Sequence, residues 1–475
     1  MELSTEIKAL LALCPKVIVD FVNEIVAEKE FLTAEIVRLR AILNQNCTNS
    51  SVPPSKSNFI KPKSLRVATG RKPGGQPGHE GSTLRMSETP DVIVEHKAAV
   101  CEHCAAIIPS DATESRHVSR QVVDIEIRRV ITEHRAAVTI CPDCGKETTA
   151  PFPSKVDHYL QYGPFFSTLL LYLNQGNFVP FDRLAKFCKD MLQIPVSPGT
   201  IVNIVQKSAQ DLAAAMEFIK EQLLLSAVLH CDETGTRICG KNFWRHSAGN
   251  PWFTFLQTHI KRGNEATDEI GILPLFTGTA VHDFWKSYFS YVQCSHAMCN
   301  AHILRELNGV EENFKRIWPK HMKEVLLDAK KMTERAEVKP TPEEIAGIEL
   351  RYDEALAQGY SENPVPETPT TVLKKRGPVA QTKELNLLKR MTVYKNSILL
   401  FLSLLEVPFT NNSAEQDIRM SKIQQKVSGG FRSIEGCDAF DTYRSYIATA
   451  IKHEISVFDA TFALTSGHPL FTGAP

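Results

Sequence analysis

A chain of 475 residues is too long for one hydrophobic core, so several domains are expected. Its hydrophobic share of 43% and charged share of 23% are those of an ordinary globular protein, and no run approaches the roughly 18–20 apolar residues of a membrane span. Lys plus Arg equals Asp plus Glu at 54 each, so any nucleic-acid partner would have to be met by local clusters rather than by an overall positive field.

Met1-Glu-Leu-Ser-Thr-Glu-Ile lacks the basic and apolar regions of a signal peptide, and a cytoplasmic, non-membrane location is expected. In that compartment the 12 cysteines read as thiols or zinc ligands rather than disulfides.

Residues 17–44, within a first segment of 1–48, read as one helix. Val22, Lys29, Ile36 and Leu43 recur every seventh position, with Ile25, Leu32 and Leu39 between them. That is the a/d stripe of a coiled coil with a polar Lys29 at one a position. It fits a helix packed on its own protein and equally a homo-oligomer; the pattern leaves both open.

Residues 49–95 form a basic linker rich in Gly and Pro. Ser51–His79 holds six basic residues (Lys56, Lys61, Lys63, Arg66, Arg71 and Lys72) and no acidic one. Such a tether cannot build a core and suits either a solvated linker or contact with a phosphate backbone, with Lys61, Lys63, Arg71 and Lys72 as candidate DNA contacts. Residues 96–150 carry Cys101-Glu-His-Cys104 and Cys141-Pro-Asp-Cys144. Each Cys-x-x-Cys aims two thiolates at one point, so Cys101, Cys104, Cys141 and Cys144 are candidate ligands of a structural Zn²⁺ in a zinc ribbon. The alternation in Val122-Val-Asp-Ile-Glu-Ile127 predicts that the ribbon's hairpin lies between the knuckles.

Residues 151–222 are predicted to be helical, with Ser197-Pro198 as N-cap and first helical residue; they suit a DNA-reading helix-turn-helix or a plain scaffold. From 223 the texture changes to short strands, Ser226–Cys231, Phe243–His246 and Trp252–Gln257, then a helix-like Asn264–Phe276 and a fourth strand ending at Asp283. Asp232 and Asp283 each close an apolar strand, and Glu415 opens a polar, basic helix. Two strand-end aspartates and a helical glutamate are the hard oxygen ligands that hold paired Mg²⁺ or Mn²⁺ ions for in-line phosphoryl transfer.

Blander roles exist for each acid. Asp232 could start a turn, Asp283 could cap a helix, and Glu415 could close a capping box with Asn412 as N-cap. Asp417 is a fallback third acid. His296-x-x-Cys299-x-x-His302 offers further metal ligands or a packed junction, with Arg305 and Glu306 pairing on the same helix. Residues 307–400 read as a helical insertion carrying Lys374, Lys375 and Arg376. Residues 401–475 complete the core, with Arg419, Lys422, Lys426 and Arg432 as candidate DNA contacts after Glu415.

His230-Cys-Asp-Glu-Thr-Gly235, Trp244-Arg-His246, Val281-His-Asp-Phe-Trp285, His296–Leu307, Asn411-Asn-Ser-Ala-Glu415 and Ser428-Gly-Gly-Phe-Arg-Ser433 together resemble the IS66 family of bacterial transposases. So does the upstream Gly74-Gly-Gln-Pro-Gly-His79. The resemblance implies a multidomain α/β protein with an RNase H-like mixed-sheet core interrupted by the insertion (223–306, then 401–475). It implies a DDE transposase, Asp232, Asp283 and Glu415 being its triad, which cleaves and joins the terminal inverted repeats of its own element to target DNA near the nucleoid. Accessory proteins of the same element are possible partners. The alternatives are a catalytically inactive, transposase-derived DNA-binding protein and an RNase H-like nuclease without strand transfer.

Overall fold

The computed structural model describes residues 14–50, 78, 84–334, 340–363 and 382–473. Lys61, Lys63, Arg71 and Lys72, and the cluster Lys374–Arg376, lie outside them. The chain forms two compact units, Ser64–Phe152 and the remainder.

The remainder begins with helix α1 (Lys16–Leu43), close to the expected bounds. Its stripe stays exposed, Ile25, Leu32, Ile36 and Leu39 each between 46% and 52%. In the smaller unit both knuckles form. At the first, the Cys101 N–H donates to Ala106 O (2.9 Å); at the second, the Cys141 N–H donates to Lys146 O (2.8 Å). The hairpin, however, flanks the second knuckle. Strand β1 (Val138–Ile140) pairs antiparallel with β2 (Glu147–Thr149). Val122–Ile127 forms no strand: its apolar residues are exposed, and alternation without a partner strand or a core to cover it does not build a sheet.

Helices α2 (Pro164–Leu171), α3 (Phe181–Leu192), α4 (Pro198–Asp211) and α5 (Ala213–Leu224) follow, with a π-helical turn at Tyr172–Gly176. As expected, Ser197 caps α4, accepting from the Thr200 N–H at 3.0 Å ahead of Pro198.

A five-stranded sheet then forms from β3 (Val228–Ile238), β4 (Lys241–Gly249), β5 (Thr254–His259), β6 (Thr279–His282) and β7 (Ser295–Met298), in the order β5-β4-β3-β6-β7. A helix, α6 (Asn264–Ile270), precedes β6. β3, β4 and β5 are antiparallel, whereas β6 lies parallel to β3 and β7 parallel to β6. The β3–β4 turn is two residues, Cys239 (φ 49°) and Gly240 (φ 75°), the left-handed pair whose twist matches a hairpin. That tight turn lengthens β3 beyond its expected end at Cys231, so Asp232 lies within the strand.

The remaining helices are α7 (Asn300–Phe314), α8 (Trp318–Glu334), α9 (Pro342–Glu362), α10 (Lys383–Val393), α11 (Lys395–Ser403), α12 (Asn412–Ser428), α13 (Ile434–Lys452) and α14 (Val457–Thr465). The insertion is helical, as expected, and it is a layer of the core. On β6, Ala280 packs with Leu212, Ile219, Phe276 and Tyr446, while its neighbour Val281 packs with Leu304, Leu307, Met322, Tyr352 and Leu388. Alternation along the strand thus buries both faces of the sheet. The edge strand β5 is closed by α13: the Leu256 N–H donates to Ser445 Oγ (2.8 Å) and the Thr254 N–H to Thr449 Oγ1 (3.1 Å). The segment after α1 holds α7, through Asn44 to Asn313 (3.1 Å) and Asn49 to Glu312 (2.8 Å).

Between α12 and α13 the chain returns to the β3–β4 turn. The Phe431 N–H donates to Arg237 O (2.8 Å) and the Cys239 N–H to Phe431 O (2.9 Å). The approach requires Gly430, at φ 148°, where a Cβ would stand 2.7 Å from Arg237 O. Gly430→Ala is expected to destabilise the protein by about 1–3 kcal/mol. Urea unfolding of the variant against the unmodified chain measures this.

Candidate active site

Asp232 stands at the middle of the sheet, on β3, and Asp283 follows the last residue of the adjacent parallel strand β6. Alternation on β3 puts His230 and Asp232 on one face and Cys231 and Glu233 on the other. Asp232 Oδ1 accepts the Glu233 N–H at 2.9 Å, and Asp283 Oδ1 accepts the Trp285 N–H at 2.8 Å. Among the described residues neither aspartate forms an ion pair.

Glu415 lies in the first turn of α12, whose start is anchored at Asn411. The Asn411 side-chain oxygen accepts from His230 Nδ1–H (2.8 Å), its amide nitrogen donates to Cys231 O (2.7 Å), and its backbone N–H points at Cys299 Sγ (3.2 Å). Beside it the Asn300 N–H donates to Phe409 O at 3.1 Å. One buried asparagine therefore ties the start of α12 to β3 and to the start of α7. It also changes the capping expected from the sequence. Asn411, not Asn412, occupies the N-cap position, and it makes no side-chain cap bond because its amide is spent on the strand. No capping box forms there. The box appears instead at α9, between Thr341 and Glu344. Glu415 is left 41% exposed, with Arg305 at 3.6 Å and His302 at 4.0 Å.

The electrostatics follow from this convergence. Burial raises the Asp232 carboxyl well above its ordinary range, and the negative charges of Glu233, Asp283 and Glu415 add to the rise. The Asp283 carboxyl rises to about 6, through burial and then Glu233. Crowded carboxylates whose charged forms are disfavoured are a donor set that a divalent cation fits, because the ion supplies the missing positive charge.

Glu233 is not part of that set. Its carboxylate is enclosed by Arg262 (Nε at 2.8 Å) and the Tyr288 hydroxyl, and Arg262 stacks on Trp285 at 3.7 Å and Trp244 at 4.7 Å. Asp417 is also engaged, accepting from Thr254 Oγ1 and Lys452 Nζ at 3.0 Å each, so the fallback acid is structural. Sequence reasoning missed the Glu233–Arg262–Tyr288 cluster and the Asn411 strut. The paired tryptophans at 244 and 285 were the available signal for the first. Nothing local marks the second.

His296, Cys299 and His302 do not share a helix. His296 is on β7 and bonds His282 Nε2 at 2.9 Å and Tyr291 O at 3.2 Å; Cys299 is the N-cap of α7 and His302 lies in its first turn. An unforeseen strand separates them. Burial holds the His302 imidazole neutral, down to about 3, and pushes the Cys299 thiol up to about 11. Arg305 and Glu306 also part, Arg305 toward Glu415 and Glu306 toward Arg390.

Of the basic residues near Glu415, Arg419, Lys426 and Arg432 are exposed, whereas Lys422 reaches back to Gly235 O at 2.6 Å. The four knuckle cysteines are partly or fully exposed. Hydrogen bonding within each knuckle lowers the Cys101 and Cys141 thiols, favouring the thiolate.

The model of the family described as Transposase IS66 family matches residues 160–439. That is more than half of the chain and spans all three acids. The chain belongs to the IS66 transposase family. Membership in this transposase family implies DNA as partner and use of a divalent metal. No curated protein matches the chain. No helix among the described residues is long and apolar enough to cross a membrane.

The raised Asp283 carboxyl predicts a pH dependence in metal-free protein. Its folded value, about 6, exceeds the unfolded value of 3.8, so its contribution to stability is complete below about pH 4 and is lost as pH rises through 6. The loss amounts to roughly 3 kcal/mol. Unfolding in chelator from pH 4 to 7 should show a steeper loss in the unmodified chain than in Asp283→Asn, which keeps only the loss that the raised Asp232 carboxyl also brings.

Proposed function

We propose that this IS66-family protein is an active DNA transposase whose Asp232, Asp283 and Glu415 form a DDE triad on an RNase H-like sheet. The observation that carries the reading is the parallel β3–β6 pairing, whose register runs Asp232 and Asp283 to neighbouring positions, with Glu415 on a helix whose start Asn411 bonds to β3. The strand order, with three antiparallel strands followed by two parallel ones, supports the RNase H-like assignment.

In this reading Asp232, Asp283 and Glu415 hold Mg²⁺ or Mn²⁺, hard cations suited to carboxylate oxygens. Bound there, the metal lowers the pKa of the attacking water or 3′-hydroxyl and stabilises the leaving oxygen. The protein's own task is placement. The β3–β6 pairing sets the two aspartates side by side, and Asn411 sets the helix that carries Glu415. Arg305 offsets the Glu415 charge before metal arrives. Exposed Arg419, Lys426 and Arg432 are offered to the phosphate backbone near the triad. The reaction is hydrolysis at the ends of the element, followed by attack of the freed 3′-hydroxyl on a target phosphodiester with release of the target's own 3′-oxygen.

The test is a cleavage and joining assay on DNA carrying the element's ends, with Mg²⁺. The unmodified chain should yield joined product, and Asp232→Asn should yield none while still retarding the DNA in a gel shift. Cleavage retained by Asp232→Asn would refute the triad.

The knuckles support a second element of the reading, a structural Zn²⁺ held by Cys101, Cys104, Cys141 and Cys144. Cys141→Ser should lower the zinc content of the purified protein by about one equivalent, as expected for a tetrahedral four-thiolate site. Metal analysis decides this, and an unchanged content would contradict it.

A further inference from the structure

Glu415 faces two different sets of donors. On the triad reading above, one is the pair Asp232 and Asp283 of the sheet. Toward α7 are Cys299 and His302, and one donor atom from each of Cys299, His302 and Glu415 lies within 4.8 Å of the other two. The two sets differ in chemistry. Carboxylate oxygens alone suit Mg²⁺, whereas thiolate, imidazole and one carboxylate suit Zn²⁺ and its relatives, which bind such ligands tetrahedrally at about 2.0–2.3 Å.

Four features make this second set more than a chance approach. Cys299 and His302 are rigidly presented, the first as N-cap of α7 at the end of a core strand and the second one turn on. His302 turns Nε2 toward Glu415, at 4.0 Å, and its buried Nδ1 has no hydrogen-bond partner among the described residues that would hold the ring in another role. The Cys299 sulfur accepts the Asn411 N–H, an interaction that persists and strengthens when the thiol becomes a thiolate. Glu415, being 41% exposed, leaves an opening for entry and for a water as fourth ligand.

We propose that Cys299, His302 and Glu415 form a conditional, inhibitory site for a thiophilic divalent cation such as Zn²⁺, whose occupation withdraws Glu415 from the Mg²⁺ site. Binding would release the Cys299 thiol proton to solvent and form one sulfur–metal, one nitrogen–metal and one oxygen–metal bond. The site is conditional because the Arg305 guanidinium stands 3.6 Å from Glu415 and opposes a second positive charge until it moves away. Because one carboxylate serves both sets, the two metals compete for the same residue while keeping separate remaining ligands. The inhibitory consequence rests on the triad reading above; the site itself does not.

The experiment uses the full chain and Zn²⁺ alone as probe. Equilibrium dialysis at rising free Zn²⁺ should find one more equivalent on the unmodified protein than on Cys299→Ala or His302→Gln, with any ribbon zinc common to all three. Two variants are used because Cys299→Ala also removes the Asn411 contact; thermal unfolding confirms that each is folded. In the Mg²⁺-supported cleavage assay, Zn²⁺ should inhibit the unmodified chain, and the concentration for half inhibition should rise at least about tenfold in whichever variant retains cleavage. Equal zinc counts in all three proteins would overturn the site. Equal zinc sensitivity alongside unequal counts would overturn the inhibitory role. An absence of cleavage from the unmodified chain would bear on the triad, and the zinc counts would still decide the site.

Discussion

The constraint on which this structure turns is the mutual repulsion of carboxylates brought together in a partly dry place. Two unit charges 4 Å apart oppose one another by about 4 kcal/mol at the effective dielectric of a protein surface. Left on flexible loops, Asp232, Asp283 and Glu415 would separate. The fold prevents this by mounting each on something that cannot yield: a central strand, the end of its parallel neighbour, and the first turn of a helix tied to that central strand and to the start of α7. The rise in the Asp232 and Asp283 carboxyls reflects their burial first and the charge of neighbouring carboxylates second, Glu233 foremost.

Glu415 is the most demanding of the three, since more than 130 residues separate it from Asp283. The insertion helices do not hang from the core between these points. They form one of its two faces, burying Val281, Ala297 and Met298 under Leu304, Leu307 and Leu388. The chain therefore re-enters the site from a packed layer, and the hydrogen bonds of Asn300 and Asn411 fix the point of re-entry. Asn411 uses its amide on His230 and Cys231 O, where a solvent-facing cap would have used it on its own helix. That choice leaves Glu415 out of a capping box, with Arg305 at 3.6 Å and His302 at 4.0 Å.

The neighbouring acids show how burial sorts like residues into different tasks. Glu233 and Asp417 are each one or two residues from one of the three candidate acids, yet both are neutralised, by Arg262 with Tyr288 and by Lys452 with Thr254. Asp232 and Asp283 have no such partner among the described residues. The contrast separates carboxylates that hold the fold from those free to meet a cation.

By itself the sequence determined the identity and order of the pieces. Apolar runs of strand length marked β3 through β6, heptad spacing marked α1, Ser197-Pro198 marked the start of α4, and the Cys-x-x-Cys pairs marked the knuckles, because each is a local pattern with a local physical cause. The three acids were legible for the same reason: each interrupts a recognisable run. Tertiary structure alone decided what depends on partners distant in the chain. Val122–Ile127 alternates but finds no strand to pair with. β7 is only four residues long and becomes a strand because β6 offers its open edge. Asn411 rather than Asn412 starts α12, because β3 and Cys299 compete successfully for its polar groups. The approach of Glu415 to Cys299 and His302 is likewise a property of packing, since no spacing along the chain encodes which side chains meet when a helix lands on a sheet.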